Sequence, residues 1–353
     1  MFGKYALVLT LPLLVAAAGG RPGRPAPAPA AAHVASRIFA RRSVATPPQL
    51  GAAVNTVMLD SANPRYVDTL LHHYGSVTPE YEMEMSQLEP RRGAFDFTNA
   101  DRIVAFAARH GLPVRGHTLV WDEMIPAWVT HREWTKPQLE RMLHGYIQTV
   151  VSHYRGRVSE WDVVNEPLTT DGRLRRNLWE RVIGPGYIAL AFRWAHRADP
   201  QATLFLNEYG AEWQDAKERA LHRLVGGLRA AHVPVSGVGF QAHLSLSAHP
   251  PQAELTAVLR SFAQLGVHIE VTELDVQAAG SAPLAQRLAA EARIYAAVGA
   301  ACHAVAACSR VTTWGVTDAD SWLGRNQVGL PFAADYRAKP AWWALRAAVN
   351  PRA

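Results

Sequence analysis

A series of short apolar runs in this chain ends on side chains that can do chemistry. The stretch Trp161-Asp162-Val163-Val164-Asn165-Glu166-Pro167 stops on an amide, a carboxylate and a proline. Similar runs end on Glu80, on His117 and Trp121, on Asn207 and Glu208, and on Gln241 and His243. Others end on Glu273 and Asp275, and on Trp314 and Asp318. No nucleophilic serine or cysteine motif accompanies them. His117 and His243 stand among acids without HExxH-type spacing, so no metal site is expected. Two carboxyls flanking a bond can serve as acid and as base or nucleophile, which is what cleavage of a glycosidic bond needs. Tryptophan offers a flat apolar face to the C–H side of a sugar, while amides and histidines read its hydroxyls. Glycoside hydrolysis is therefore the chemistry these residue types suggest, and it requires no cofactor.

The elements that must position them alternate. Short β-rich runs such as LGAAVNT (50–56), GSVTPEY (75–81), LPVRGHTLVW (112–121) and VSEWDVVNEP (158–167) each precede a segment with helical spacing. ATLFLNEYG (202–210), VSGVGFQAHL (235–244), VHIEVTELDV (267–276) and RVTTWGVTD (310–318) continue the pattern. Gly111, Gly266 and Pro234 punctuate helix-to-strand turns. Eight strand–helix pairs fit an α/β fold of the (β/α)8 TIM-barrel type, with an open doubly wound sheet as the rival. A barrel gathers all carboxyl strand ends at one mouth, and the polar residues lie at those ends. No GxGxxG or P-loop pattern supports nucleotide binding.

The 353 residues are 49% hydrophobic and 19% charged, enough for one large core. Residues 1–18 read as a signal peptide: Lys4 precedes an apolar run that ends in Ala16-Ala17-Ala18. A retained anchor is the alternative. Residues 19–46 read as a Pro/Ala-rich disordered linker, and 47–353 as a single catalytic domain. The protein is thus expected to be secreted or periplasmic, with no membrane association after cleavage, and to act as a monomer. Its net charge of +6 lies partly in the linker, at Arg21, Arg24, Arg37, Arg41 and Arg42. With no nucleic-acid motif elsewhere, nucleic acid is not expected as a partner. Cys302 and Cys308 suggest a local disulfide in an exported protein, or two reduced core thiols in one that is not. Trp161 is expected in the core. Trp128, Trp134, Trp179, Trp194, Trp213, Trp342 and Trp343 are expected in packing or at the surface.

GHTLVW (116–121), WDVVNEP (161–167), LFLNEYG (204–210), GVGFQAHL (237–244), VTELDV (271–276) and WGVTDADSW (314–322), in this order, resemble glycoside hydrolase family 10, the retaining endo-β-1,4-xylanases. The resemblance runs from Leu50 to Ala348, and the cysteine pair resembles the family's disulfide. It implies that Glu166 is the acid/base and Glu273 the nucleophile, held by His243 and Asn207, with His243 oriented by Asp275. It also implies a plant cell-wall polysaccharide or derived oligosaccharide as partner. Asn165 then meets the sugar's 2-hydroxyl, and Glu80, His117, Trp121, Tyr209, Gln241, Trp314 and Trp322 line the subsites. An ionised Glu273 is expected to raise the Glu166 pKa by repulsion. Retention implies a carboxyl separation of about 5–5.5 Å.

Strand two departs from the family's T-P-E-N-x-M-K-W and reads Thr78-Pro79-Glu80-Tyr81-Glu82-Met83-Glu84-Met85. Tyr81 and Glu84 replace an Asn and a Lys of the distal glycone subsite. After Trp121, Asp122 and Met124 replace the family's His and Gln. These changes leave open an ordinary xylanase or a shift toward decorated xylan, short oligosaccharides, aryl glycosides or β-glucan. A sugar-binding barrel without catalysis is the alternative of a different class. Glu208, where the family has Asp, is either a site support or a barrel salt bridge, and Asp162 a loop or supporting acid.

Overall fold

The computed structural model describes residues 47–61, 63–324 and 328–351. The expected signal peptide and linker lie outside them. Among the described residues there are nine parallel strands: β1 (Gln49–Val54), β2 (Val77–Pro79), β3 (Arg115–Gly116), β4 (Glu160–Asn165), β5 (Thr203–Glu208), β6 (Gly237–Phe240), β7 (His243–Ser245), β8 (His268–Gln277) and β9 (Cys308–Thr313). They run in the order β2-β1-β9-β8-β6-β5-β4-β3, and a bridge from Val77 to Val114 brings the two ends together. The result is a nearly closed (β/α)8 barrel, as expected, in which β6 and β7 are two pieces of one barrel position. The expected run 235–244 breaks at Gln241 and Ala242, where Ala242 takes φ 59° and its N–H donates to Glu212 at 2.7 Å. β7 then pairs with the far end of β8, His243 opposite Asp275.

Helix starts follow the local sequence. Pro64 opens Pro64–His73 behind an Asn63 cap, and Asp215 caps Ala216–Ala230 by accepting from the N–H groups of Lys217 and Glu218. Thr135 and Gln138 form a capping box at the start of Lys136–Tyr154. A short helix, Leu178–Ile183, was not apparent in the periodicity.

In β4 the residues alternate. Trp161 packs outward near Tyr154, while Glu160 and Asp162 face the barrel interior. A register shift between Asp162 and Val164 ends that alternation just before Asn165. The interior below the mouth is charged. Arg115 bonds Asp162 and Glu270, Arg310 bonds Glu160 and Glu270, and all five are nearly inaccessible to solvent. Arg115 also lies 4.2 Å over the Phe205 ring. Gly239 leaves room for this arrangement: a Cβ there would sit 2.2 Å from Asn207 Oδ1. Cys302, near the end of the helix Leu284–His303, is disulfide-bonded to Cys308 at the start of β9.

Candidate active site

The mouth is organised around Glu273, which is 4% exposed. Its Oε1 accepts from Asn207 Nδ2 at 2.6 Å and its Oε2 faces His243 Nε2 at 3.0 Å. His243 Nδ1 meets Asp275 Oδ2 at 3.0 Å, and the same oxygen accepts from Trp322 Nε1 at 2.6 Å. Burial disfavours a charged imidazole, but Asp275 and Glu273 on its two sides raise the His243 pKa well above its usual value. Each ring nitrogen of His243 faces one carboxylate, an arrangement that favours the protonated ring. Asn207 is itself fixed, its Oδ1 accepting from Thr272 at 2.7 Å and its Nδ2 also donating to Asn165 Oδ1 at 2.9 Å.

Glu166 follows β4 with φ 53°, a conformation that costs energy in a non-glycine residue, especially before a proline. Two bonds hold this turn: its N–H donates to Asn207 O at 2.9 Å, and its carbonyl accepts from Arg175 Nε at 3.0 Å. Glu166 Oε1 accepts from Gln241 Nε2 at 3.0 Å. Its pKa is raised, and burial is the main cause. The Gln241 bond opposes the rise, and the charge of Glu273 adds to it. Repulsion from Glu273 contributes, as expected from sequence, and burial exceeds it.

His117 lies beneath Trp314, ring centroids 5.2 Å apart, with Trp121 at 6.4 Å. Its Nδ1 is 3.0 Å from Asp162 Oδ2, and its pKa is pushed up to about 9. Burial works against that rise, and the bond to Asp162 with the charges of Glu273 and Glu84 outweighs it. Asp162 is a buried strand residue, not a loop acid. Burial alone would raise it, but Arg115 and His117 hold it below its usual value. Asn165 is 2% exposed, and its Oδ1 is shared by Asn207 and Gln241.

The departing residues occupy distinct places. Glu84 is 3% exposed, and its one polar neighbour within ion-pair range among the described residues is His117, at 3.7 Å. Burial pushes its pKa to about 8, with His117 opposing and Glu273 and Glu166 adding to the rise. Met85 has joined the core. Glu80 shares Asn55 Nδ2 with Asp320, and burial pushes its pKa to about 7. Tyr81 is half-buried between Glu80 and Glu82. Asp122 is 3.9 Å from Arg175, and Met124, at φ 50°, offers its carbonyl to Ser86 N–H. Tyr209 Oη accepts from Arg175 at 3.2 Å while Lys217 Nζ sits 3.3 Å from its ring centroid. Glu208 is ion-paired to that lysine at 2.9 Å and accepts from Leu168 N–H, so it acts as both barrel salt bridge and loop support.

Sequence reasoning missed Arg115, Arg175 and Thr272, which hold Asp162, the Glu166 turn and Asn207. Arg115 did leave a trace, as a lone charge within an apolar strand run. Of the tryptophans expected in packing or at the surface, Trp179 and Trp342 are buried and Trp343 is 54% exposed.

A parallel (β/α)8 barrel whose mouth opposes a burial-raised glutamate and a hydrogen-bonded one defines a glycoside hydrolase. The profile of "Glycosyl hydrolase family 10" matches residues 41–348, and the chain belongs to that family. Endo-1,4-beta-xylanase A of Humicola insolens is 37% identical over 83% of this chain and 79% of its own. Endo-1,4-beta-xylanase B of Thermotoga neapolitana is 35% identical over 80% and 82%. The crystal structure of xylanase 10B from Thermotoga petrophila in complex with xylobiose is 34% identical, with a TM-score of 0.83 over 91% of this chain and 97% of that one.

Proposed function

We propose that the chain is a retaining endo-1,4-β-xylanase that cleaves internal bonds of xylan by double displacement. The observation that carries this is the division between the two glutamates. Glu273 is oriented by two donors, Asn207 and His243, while burial raises the Glu166 pKa and so favours its protonated form. Glu166 gives that proton to the leaving glycosidic oxygen as Glu273 attacks the anomeric carbon and forms a glycosyl ester. Esterification removes the charge of Glu273, the Glu166 pKa falls, and Glu166 takes a proton from the water that breaks the ester. Asn165, Gln241, His117, Trp121, Trp314 and Trp322 then surround the sugar that is cleaved. The substrate is a xylan chain or an oligosaccharide derived from it. The apolar run of residues 5–18 supports export.

A second reading follows from Glu84. A buried carboxyl beside His117 stands where the resembling family carries a cation, and this favours altered recognition of the glycone sugar. Replacing Glu273 with Ala abolishes sugar release from xylan. Replacing Glu166 with Ala abolishes it too, but spares the first step on an aryl xylobioside whose leaving group needs no proton. Equal loss on both substrates refutes the acid/base role. A product profile on xylan, arabinoxylan and β-glucan separates the two specificities.

A further inference from the structure

A second groove, whose lining includes neither Glu166 nor Glu273 nor the residues bonded to them, has a volume of about 520 Å³. It lies between the helix Lys136–Tyr154, the loop after the short helix Met85–Leu88, and the connection that follows Met124. Trp128 and Trp134 form one wall with centroids 6.4 Å apart. Their indole N–H groups are already committed, to Glu89 O and Val129 O at 2.8 Å each, which fixes the rings. Both are partly exposed.

The rim is cationic. Arg92, Arg132 and Arg141 are exposed and line the groove, and none makes an ion pair among the described residues. Arg132 stacks 4.5 Å over the Trp134 ring, which orders its guanidinium beside the aromatic wall. The one acid lining the groove, Glu89, is 5% exposed and turned to the Gly93 N–H at 2.7 Å. The catalytic mouth differs: its carboxyls, among them Glu80, Glu84, Asp122 and Asp320, are interleaved with His117, His243 and Arg175.

We infer that this groove is an auxiliary binding site for xylan segments carrying uronate side groups. Flat indole faces suit the C–H side of pyranose rings, and unpaired guanidiniums suit carboxylates, which they can bind in bidentate fashion. A decorated stretch held at the groove leaves a neighbouring stretch of the same polymer free to enter the mouth. The inference rests on the xylanase reading for the polymer backbone, and on the groove itself for the acidic substituent.

The test uses the full chain and the variant R92S/R132S/R141S, whose changes are all at exposed positions. Affinity electrophoresis measures binding to glucuronoxylan, to the same polymer after carboxyl reduction, and to duplex DNA, each at low and high salt. The expected result is about tenfold weaker, less salt-sensitive binding of glucuronoxylan by the variant, the sum of three exposed charge pairs. Hydrolysis of a neutral aryl xylobioside stays unchanged. Unaltered glucuronoxylan binding by the variant overturns the proposal. So does equal binding of the reduced polymer by the parent, or DNA binding of equal strength through the same arginines. If neither protein cleaves the aryl xylobioside, the xylanase reading fails, while the dependence of binding on carboxylates still reports on the groove.

Discussion

Replacing Glu84 with Gln removes a carboxyl that folding forces to stay protonated. In the unfolded chain Glu84 titrates near its ordinary value of 4.5; in the folded one it does so at about 8. Its contribution to stability is therefore fully present below about pH 4.5 and is lost as pH rises toward 8. The loss is about 1.4 kcal/mol per pH unit in between. From pH 5 to pH 7 this amounts to at most about 2.5 kcal/mol, and glutamine of similar size is free of it. Other buried acids, among them Glu80 and Glu208, with pKa values of about 7, give both proteins a common pH dependence that cancels in the comparison. Thermal unfolding of parent and E84Q at pH 5 and pH 7 provides the assay. The advantage of E84Q should grow by roughly 5 °C in Tm between the two values, at about 2 °C per kcal/mol for a chain of this size. Parallel pH dependence in the two proteins refutes the argument that Glu84 is buried as a neutral acid.

Asp275→Asn leaves His243 without the carboxylate that keeps it charged, so Glu273 loses a charge-assisted donor. The kcat should fall by about 10- to 100-fold, and the alkaline limb of its pH profile should move to lower pH. An unmoved alkaline limb contradicts the role given to His243. Lys217→Met strands Glu208 in a dry environment and should cost about 3–5 kcal/mol in urea unfolding, with K217M/E208Q recovering most of it. Arg115→Met should destabilise the barrel by a similar amount, and should also raise KM or lower kcat, because Asp162 and through it His117 lose their anchor. Loss of stability without any kinetic change would separate Asp162 from the site.

The barrel was legible because its apolar runs are short, regularly spaced and tipped with polar residues. Glu166 and Glu273 stood out as candidates because Glu166 closes such a run and Glu273 is an acid within one. The direction of the Glu166 shift could be anticipated, but not its main cause, since burial depends on how loops from other strands cover the carboxyl. The same applies to the φ of 53° at Glu166: a residue before proline favours extended backbone, and only the bonds to Asn207 and Arg175 hold this one elsewhere. β3 read as a long strand, yet it pairs regularly over two residues, because its extension turns toward the mouth and leaves a single bridge from Val120 to Val164. Arginines inside the barrel were invisible as a group because their partners lie on strands far apart in sequence.

Those arginines also bear on how the chain folds. Arg115 reaches Glu270 across 155 positions, and Arg310 reaches Glu160 across 150. Each pair joins the first four strands to the last two, so a half-assembled ring would hold dry charges without their partners. Such non-local contacts make closure slow and late, and they tie the two halves into one cooperative transition. Glu166 lies on the early half of the ring and Glu273 on the late half, so no partly folded form of the chain presents both.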